Sequence, residues 1–226
     1  PVNWHNSPDE ARYIFENSGA KAIVIHADLL RGIEKAIPKD VPVFVVETPP
    51  EIVSAYGLAA ADAKLPAGAT DWSKWLSQFQ PIEAGPAQPP ASMIYTSGTT
   101  GKPKGALGTQ RNICTNFMNA MLGGARTFLR RGEMPPAPDP NAPQRVTLLS
   151  VPLFHATGCH SILVGTYASG GKLVIMHKWN PEHALELIER ERVTSFGGVP
   201  AMVWQVLESA DFATRDTSSV LSIGYG

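Results

Sequence analysis

Residues 7–47 run SPDEARYIFENSGAKAIVIHADLLRGIEKAIPKDVPVFVVE. Ser7 is placed to cap a helix, Pro8 suits its first position, and Glu10 completes a capping box. Ala11, Ile14, Phe15 and Ser18 recur at helical spacing, and Gly19 ends the pattern. Lys21–His26 is a short apolar run of strand length. Ala27–Ile37 reads as a second helix and Val41–Glu47 as a second strand. Strand and helix in alternation predict an α/β fold of mostly parallel sheets flanked by helices.

Beyond this unit the pattern weakens from Pro49 to Pro90, read as a surface connection with one helix at Asp71–Phe79. Ser92–Thr96 is a strand, and Thr109 caps a helix from Gln110 to about Leu122. Pro135, Pro136, Pro138, Pro140 and Pro143 exclude both helix and central strand over Gly132–Pro143, which predicts an exposed loop. Strands follow at Val146–Val151, Lys172–Met176, Thr194–Phe196 and Val220–Ile223. Helices are expected at His160–Ala168, from Asn180-Pro181-Glu182 onward, and at Pro200–Ser209. There is no internal repeat.

Composition narrows the function classes. Hydrophobic residues make up 43% and charged residues 17% of the 226 residues, which supports a sizeable core and excludes general disorder. Nineteen Lys and Arg against twenty Asp and Glu leave a net charge of −1, without the basic excess of a nucleic-acid binder. No apolar run is long enough for a transmembrane helix. Two cysteines, Cys114 and Cys159, suit a reducing compartment better than a disulfide scaffold. The first residues, Pro1-Val2-Asn3-Trp4, and the last, Ser222-Ile223-Gly224-Tyr225-Gly226, read as an internal fragment of a longer chain.

The chemistry concentrates in Tyr95-Thr96-Ser97-Gly98-Thr99-Thr100-Gly101-Lys102-Pro103-Lys104-Gly105. The glycines allow sharp turns that bring amide N–H groups close to an anion. The hydroxyls of Thr96, Ser97, Thr99 and Thr100 add donors, and Lys102 and Lys104 add positive charge, a set suited to polyphosphate. It is not a Walker A loop: two residues rather than four separate Gly98 from Gly101, and Pro103 follows Lys102. Pro103 also discourages an immediate helix, so the phosphate ligand is expected on a loop between strands. The plain alternative, a solvated Gly/Thr turn, would hold for an isolated Gly-Lys pair but fits the whole string poorly.

This string resembles the signature of the adenylate-forming (AMP-binding) superfamily, which includes acyl-CoA synthetases, luciferases and peptide-synthetase adenylation domains. Other segments agree in order. Ser7–Glu10 with Asn17–Lys21 resembles the family's early helix–strand unit, and Pro152-Leu153-Phe154-His155-Ala156-Thr157-Gly158 its next core motif. Gly198-Val199-Pro200 resembles its acyl-pocket segment, and Leu221–Gly226 the approach to its adenine-binding strand. Only the Pro-rich stretch at 132–143 diverges.

The resemblance implies two half-reactions: attack of a carboxylate on the α-phosphate of ATP, then displacement of AMP by a thiol, often coenzyme A. It implies Thr96, Ser97, Gly98, Thr99, Thr100, Gly101, Lys102, Lys104 and Gly226 as nucleotide contacts, with Thr96 near Mg²⁺ and Lys102, Thr96 and His155 as the catalytic set. It places His155 at the border of the carboxylate pocket, where amino-acid-activating relatives carry Asp. That difference favours a plain acid, fatty or otherwise apolar, over an amino acid whose buried ammonium would lack a partner. His155 is not assigned as a general base, since a carboxylate is already ionised at neutral pH. Gly197, Gly198, Val199 and Met202 are candidates for the acyl pocket. For Met202 and Trp204, ordinary packing is an equal alternative.

The resemblance further implies that residues 1–226 are the central portion of a large N-terminal domain, without the small C-terminal domain and without turnover by themselves. A cytoplasmic acyl-CoA synthetase of fatty acid metabolism is the leading expectation. An aryl-acid or carrier-protein-directed adenylating enzyme, or a non-catalytic nucleotide-binding remnant, are the alternatives. His155, Cys159 and His160 lack the spacing of a zinc site. Arg126, Arg130 and Arg131 are read as a solvated face, with docking of a negatively charged partner as the alternative.

Overall fold

A computed structural model describes residues 1–83, 85, 91–96, 101–137, 139 and 141–225. The chain divides into two compact units, Pro1–Gly108 and Thr109–Gly226.

In the first unit, helix α1 (Pro8–Asn17) begins with the expected capping box: Glu10 N–H donates to Ser7 Oγ at 3.3 Å and Ser7 N–H to Glu10 Oε2 at 2.8 Å. Gly19, at φ +62°, ends it. Ala11 and Phe15 on its inner face pack with Ile23 and Ala36 into a small core. Strands β1 (Ile23–His26) and β2 (Val43–Val46) pair in parallel across helix α2 (Ala27–Ile33), and a two-residue β3 (Thr70–Asp71) joins β2, also in parallel. The surface connection after Pro49 is more ordered than its composition suggests. It holds helix α3 (Pro50–Tyr56), started by a proline at its first position and stopped by Gly57 at φ +62°. Helix α4 (Trp72–Leu76) is capped by Asp71, whose side chain accepts from Lys74 N–H. Trp75 of α4 sits on Phe44 of β2 with ring centroids 4.5 Å apart. Strands β4 (Ala91–Thr96) and β5 (Lys104–Thr109) form a separate two-stranded sheet.

The second unit opens on helix α5 (Gln110–Leu129), capped by Thr109 as expected but running 20 residues, past Leu122. Gly123 and Gly124 do not stop it; Gly132, at φ +75°, follows its end. Strands β6 (Val146–Leu149), β7 (Lys172–Ile175), β8 (Ser195–Gly198) and β9 (Ser222–Tyr225) form a sheet in the order β7-β6-β8-β9, parallel at every pairing. Thr157–Leu163 is a π-helix leading into α6 (Val164–Ala168), where an ordinary α-helix was expected. Helix α7 (Pro181–Glu191) is capped by Asn180, and α8 (Pro200–Glu208) follows β8. The core lies between the sheet and these two helices: Leu148, Leu185, Ile188 and Val193 are at most 1% exposed. Burial of four such aliphatic side chains contributes about 1.5–3 kcal/mol each. The α/β class and the parallel sheets expected from the sequence are those observed.

Candidate functional site

The candidate residues fall into two groups, one in each unit. In the first, β4 delivers Thr96 and β5 receives the chain at Lys104, so the glycine-rich segment does connect two strands. Ser97, Gly98, Thr99 and Thr100 lie outside the described residues. Thr96 Oγ donates to the Lys104 carbonyl at 3.4 Å, which joins the two ends of the segment, and its oxygen accepts from no donor among the described residues. Lys104 is therefore a strand residue, not a loop residue as its place in the motif suggested. Gly101 adopts φ +111°, a backbone conformation that L side chains rarely reach. Gly105 allows close approach of the strands: a Cβ there would lie 2.7 Å from Met93 Sδ and 3.0 Å from Tyr95 Cζ.

Lys102 and Lys104 are exposed, and neither takes part in an ion pair among the described residues. The Lys102 ammonium lies 5.1 Å from the centre of the Tyr13 ring on α1. Tyr95 donates its hydroxyl to Asn17 Oδ1 at 2.7 Å, tying β4 to the end of α1. Burial, with a smaller contribution from Tyr13, pushes the Tyr95 phenol up from its ordinary value, so it stays protonated and donating. Sequence reading missed Tyr13 and Asn17 as neighbours of the loop. They belong to a helix far from the motif, and only the fold brings them to it. The described part of the group thus presents two uncompensated cations and an open hydroxyl, a donor set that fits polyphosphate. For Mg²⁺ it offers the Thr96 oxygen alone, which suits an ion carried mainly by phosphates and water.

In the second unit, the candidates cluster at the carboxyl ends of the parallel strands, where open α/β sheets bind their ligands. His155 lies in the turn after β6. Its N–H donates to the Pro152 carbonyl at 3.1 Å, and its own carbonyl accepts from Cys159 N–H at 2.9 Å. The imidazole is exposed and lies beside Phe154, with ring centroids 4.9 Å apart, so it is not a packed core histidine. Gly158 is required by this turn: a Cβ would come within 2.4 Å of the Pro152 carbonyl oxygen and 2.8 Å of that of Val151. The π-helix that follows is a geometry often found at functional sites.

At the end of β8, Gly197 is buried against β9, and a Cβ there would lie 1.9 Å from the Gly224 carbonyl oxygen. Close strand packing therefore requires its smallness. Gly198 faces Met202, whose Sδ would lie 2.6 Å from an added Cβ, and Ser150 Oγ, at 3.3 Å. Ser150 donates to the Gly197 carbonyl at 2.5 Å and so links the ends of β6 and β8, a role that nothing in its sequence context signalled. Val199 is 52% exposed, and Met202 is half-buried. Phe196, by contrast, is 4% exposed within the core and lines no open space. Gly226 lies outside the described residues. Among the described residues, no group of three His, Cys, Asp or Glu side chains is arranged to hold a metal ion.

The chain is 34% identical over 162 residues to a medium/long-chain-fatty-acid–CoA ligase of Mycobacterium tuberculosis, covering 70% of this chain and 25% of that protein. It is 26% identical over 222 residues to a feruloyl-CoA synthase of an Amycolatopsis species, covering 96% of this chain and 42% of the relative. The chain thus spans less than half the length of either relative. Its fold matches that of a red-emitting luciferase from Phrixothrix hirtus with a TM-score of 0.72 at 19% identity, over 100% of this chain and 51% of that one. It also matches an anthranilate CoA ligase in complex with anthranoyl-AMP, with a TM-score of 0.69 at 21% identity, over 97% and 38% of the two chains. The family model of the AMP-binding enzymes matches residues 1–226, through the glycine-rich segment to the last strand, and the chain belongs to that family.

Proposed function

We propose that the protein activates a carboxylic acid with ATP to an acyl-adenylate and passes the acyl group to coenzyme A. One observation carries this reading. The Gly/Ser/Thr/Lys segment is suspended between β4 and β5, with Lys102 and Lys104 exposed and unpaired among the described residues. In the first step a carboxylate oxygen attacks the α-phosphorus, the bond to the β-phosphate breaks, and pyrophosphate leaves. Negative charge accumulates on phosphate oxygens, so the demand is for aligned donors and cations rather than a strong base. The loop amides, the hydroxyls of Thr96, Ser97, Thr99 and Thr100, and the ammonium groups of Lys102 and Lys104 would meet that demand. Mg²⁺ would enter on the polyphosphate, neutralising charge there, with the Thr96 hydroxyl as this chain's share of its ligands. In the second step the thiol sulfur attacks the acyl carbon and AMP leaves.

A fatty or other apolar acid is the substrate class we favour. His155 supplies no carboxylate for an ammonium, and Gly198, Val199 and Met202 offer a small, apolar wall. An aryl acid is the second reading, favoured by the feruloyl-CoA synthase resemblance over 96% of the chain. We place residues 1–226 as the central portion of the large N-terminal domain of such an enzyme, and propose that they do not turn over by themselves. We assign the reaction to the cytoplasm, where ATP and coenzyme A are supplied. No described helix is long and apolar enough to cross a membrane.

The test is product analysis with the full-length protein, ATP, Mg²⁺, coenzyme A and a panel of fatty, aryl and amino acids. A thioester of a fatty or aryl acid is the expected product and separates the two readings. Thioester formation or adenylation with amino acids alone would overturn the assignment of His155.

A further inference from the structure

We propose that the end of α5 and the turn that follows it form a second phosphate-binding recess, built from Arg126, Arg130 and Arg131 around Gly123 and Thr127. Gly123, Arg126 and Thr127 stand at i, i+3 and i+4 on one face of α5, and Arg130 and Arg131 follow in the turn that succeeds its last residue, Leu129. Together they line a recess of about 520 Å³. Gly123 leaves its floor open, since a Cβ there would meet nothing within 4 Å.

The charges in the recess are unanswered among the described residues. Elsewhere in this unit Arg190 pairs with Glu186 at 2.9 Å, Arg192 with Asp216 at 2.5 Å and Arg215 with Glu189 at 2.9 Å. Arg126, Arg130 and Arg131 have no ion pair and no side-chain hydrogen bond among the described residues. The negative pole of a helix C-terminus favours a cation nearby. It does not account for three arginines lining one recess, where like charges repel. A phosphate relieves that repulsion, and the planar fork of Arg suits its oxygens in bidentate fashion. Two sources share this chemistry, a soluble phosphate compound and a phospholipid headgroup.

Equilibrium dialysis with inorganic pyrophosphate at low ionic strength tests the recess, with Lys102→Ala present throughout to weaken the loop's contribution. Vesicles of phosphatidylcholine with phosphatidylglycerol test the headgroup source in parallel. The triple variant Arg126→Gln, Arg130→Gln, Arg131→Gln is expected to weaken binding to one of these probes by about tenfold or more, the loss of charge-assisted hydrogen bonds. Arg130→Gln alone should give a smaller loss, and far-UV circular dichroism should show α5 intact in both. Arg-dependent binding of pyrophosphate identifies a soluble ligand, and Arg-dependent binding of vesicles a membrane headgroup. Binding of both probes unchanged by the triple variant would overturn the proposal.

Discussion

Gly197→Ala is the substitution whose consequence follows most directly from the geometry. In the register of β8 and β9, Gly197 pairs with Gly224, and an added Cβ would sit 1.9 Å from the Gly224 oxygen and 2.8 Å from its carbonyl carbon. Both are backbone atoms, so relief requires the strands to part. Overpacking of this kind costs about 1–3 kcal/mol, and the upper half applies where no flexible side chain can yield. Replacing Gly by Ala recovers about 0.4–1 kcal/mol from the unfolded chain, because Gly197 does not adopt a positive φ. The net loss is about 1–2.6 kcal/mol, which moves a urea midpoint by roughly 1 M for a typical slope. Gly198→Ala is the matched control. Its Cβ meets the Met202 sulfur, the far end of a flexible side chain, at 2.6 Å, so its effect on stability should be small. Urea unfolding followed by circular dichroism measures both. A Gly197→Ala midpoint no lower than that of Gly198→Ala would refute the reasoning and show that the two strands do not approach as described.

Three further outcomes are expected. Gly198→Ala, while stable, should raise KM for the acid more than KM for ATP, because it pushes Met202; steady-state kinetics on the full-length enzyme check this. Tyr13→Leu removes the aromatic face beneath Lys102, a contact worth about 0.5–1 kcal/mol at an exposed site, and should change KM for ATP by a few-fold at most. Lys102→Ala should instead lower kcat. Acidification should destabilise the second unit. The Ser218 hydroxyl and N–H, then Arg192, hold the Asp216 carboxyl down from 3.8 to about 2, and Glu186, Glu189 and Glu191 are also lowered from 4.5 by their hydrogen bonds. A depressed folded-state pKa gives stabilisation that is complete above the unfolded value and lost as pH falls through the folded one. Tm should therefore decline below about pH 4.5 and more gently in Asp216→Asn, as thermal unfolding between about pH 2 and 6 would record.

Much of the fold was legible because caps and periodicity are local. Ser7 with Glu10, Thr109, and Asn180 with Pro181 each announced a helix that forms. The misses have physical causes. The helix after Thr109 was expected to end at about Leu122, but it runs through Gly123 and Gly124 to Leu129, and the glycine that takes a left-handed conformation is Gly132. Pro49 and Pro50 looked like breakers, although Pro at the first helical position is compatible with the start of α3. Strand β5 was hidden by Gly105 and Gly108, which weaken strand propensity, although Gly105 allows close packing on Met93 and Tyr95. At the candidate sites, residue types led to the proposals for the glycine-rich segment and for His155. The contacts of Tyr13 with Lys102 and of Ser150 with Gly197 were not legible, since they join segments distant in sequence. Nor was the π-helix, which no local pattern marks.

The measurement that bears most directly on the central claim is carboxylate-dependent exchange of labelled pyrophosphate into ATP by the full-length protein, beside Lys102→Ala. Exchange driven by an apolar acid and weakened by about tenfold or more in the variant is the predicted result, since a lost charge-assisted contact in the transition state has that size. Exchange of undiminished rate in Lys102→Ala, or none with any acid in a folded protein that binds ATP, would contradict the account.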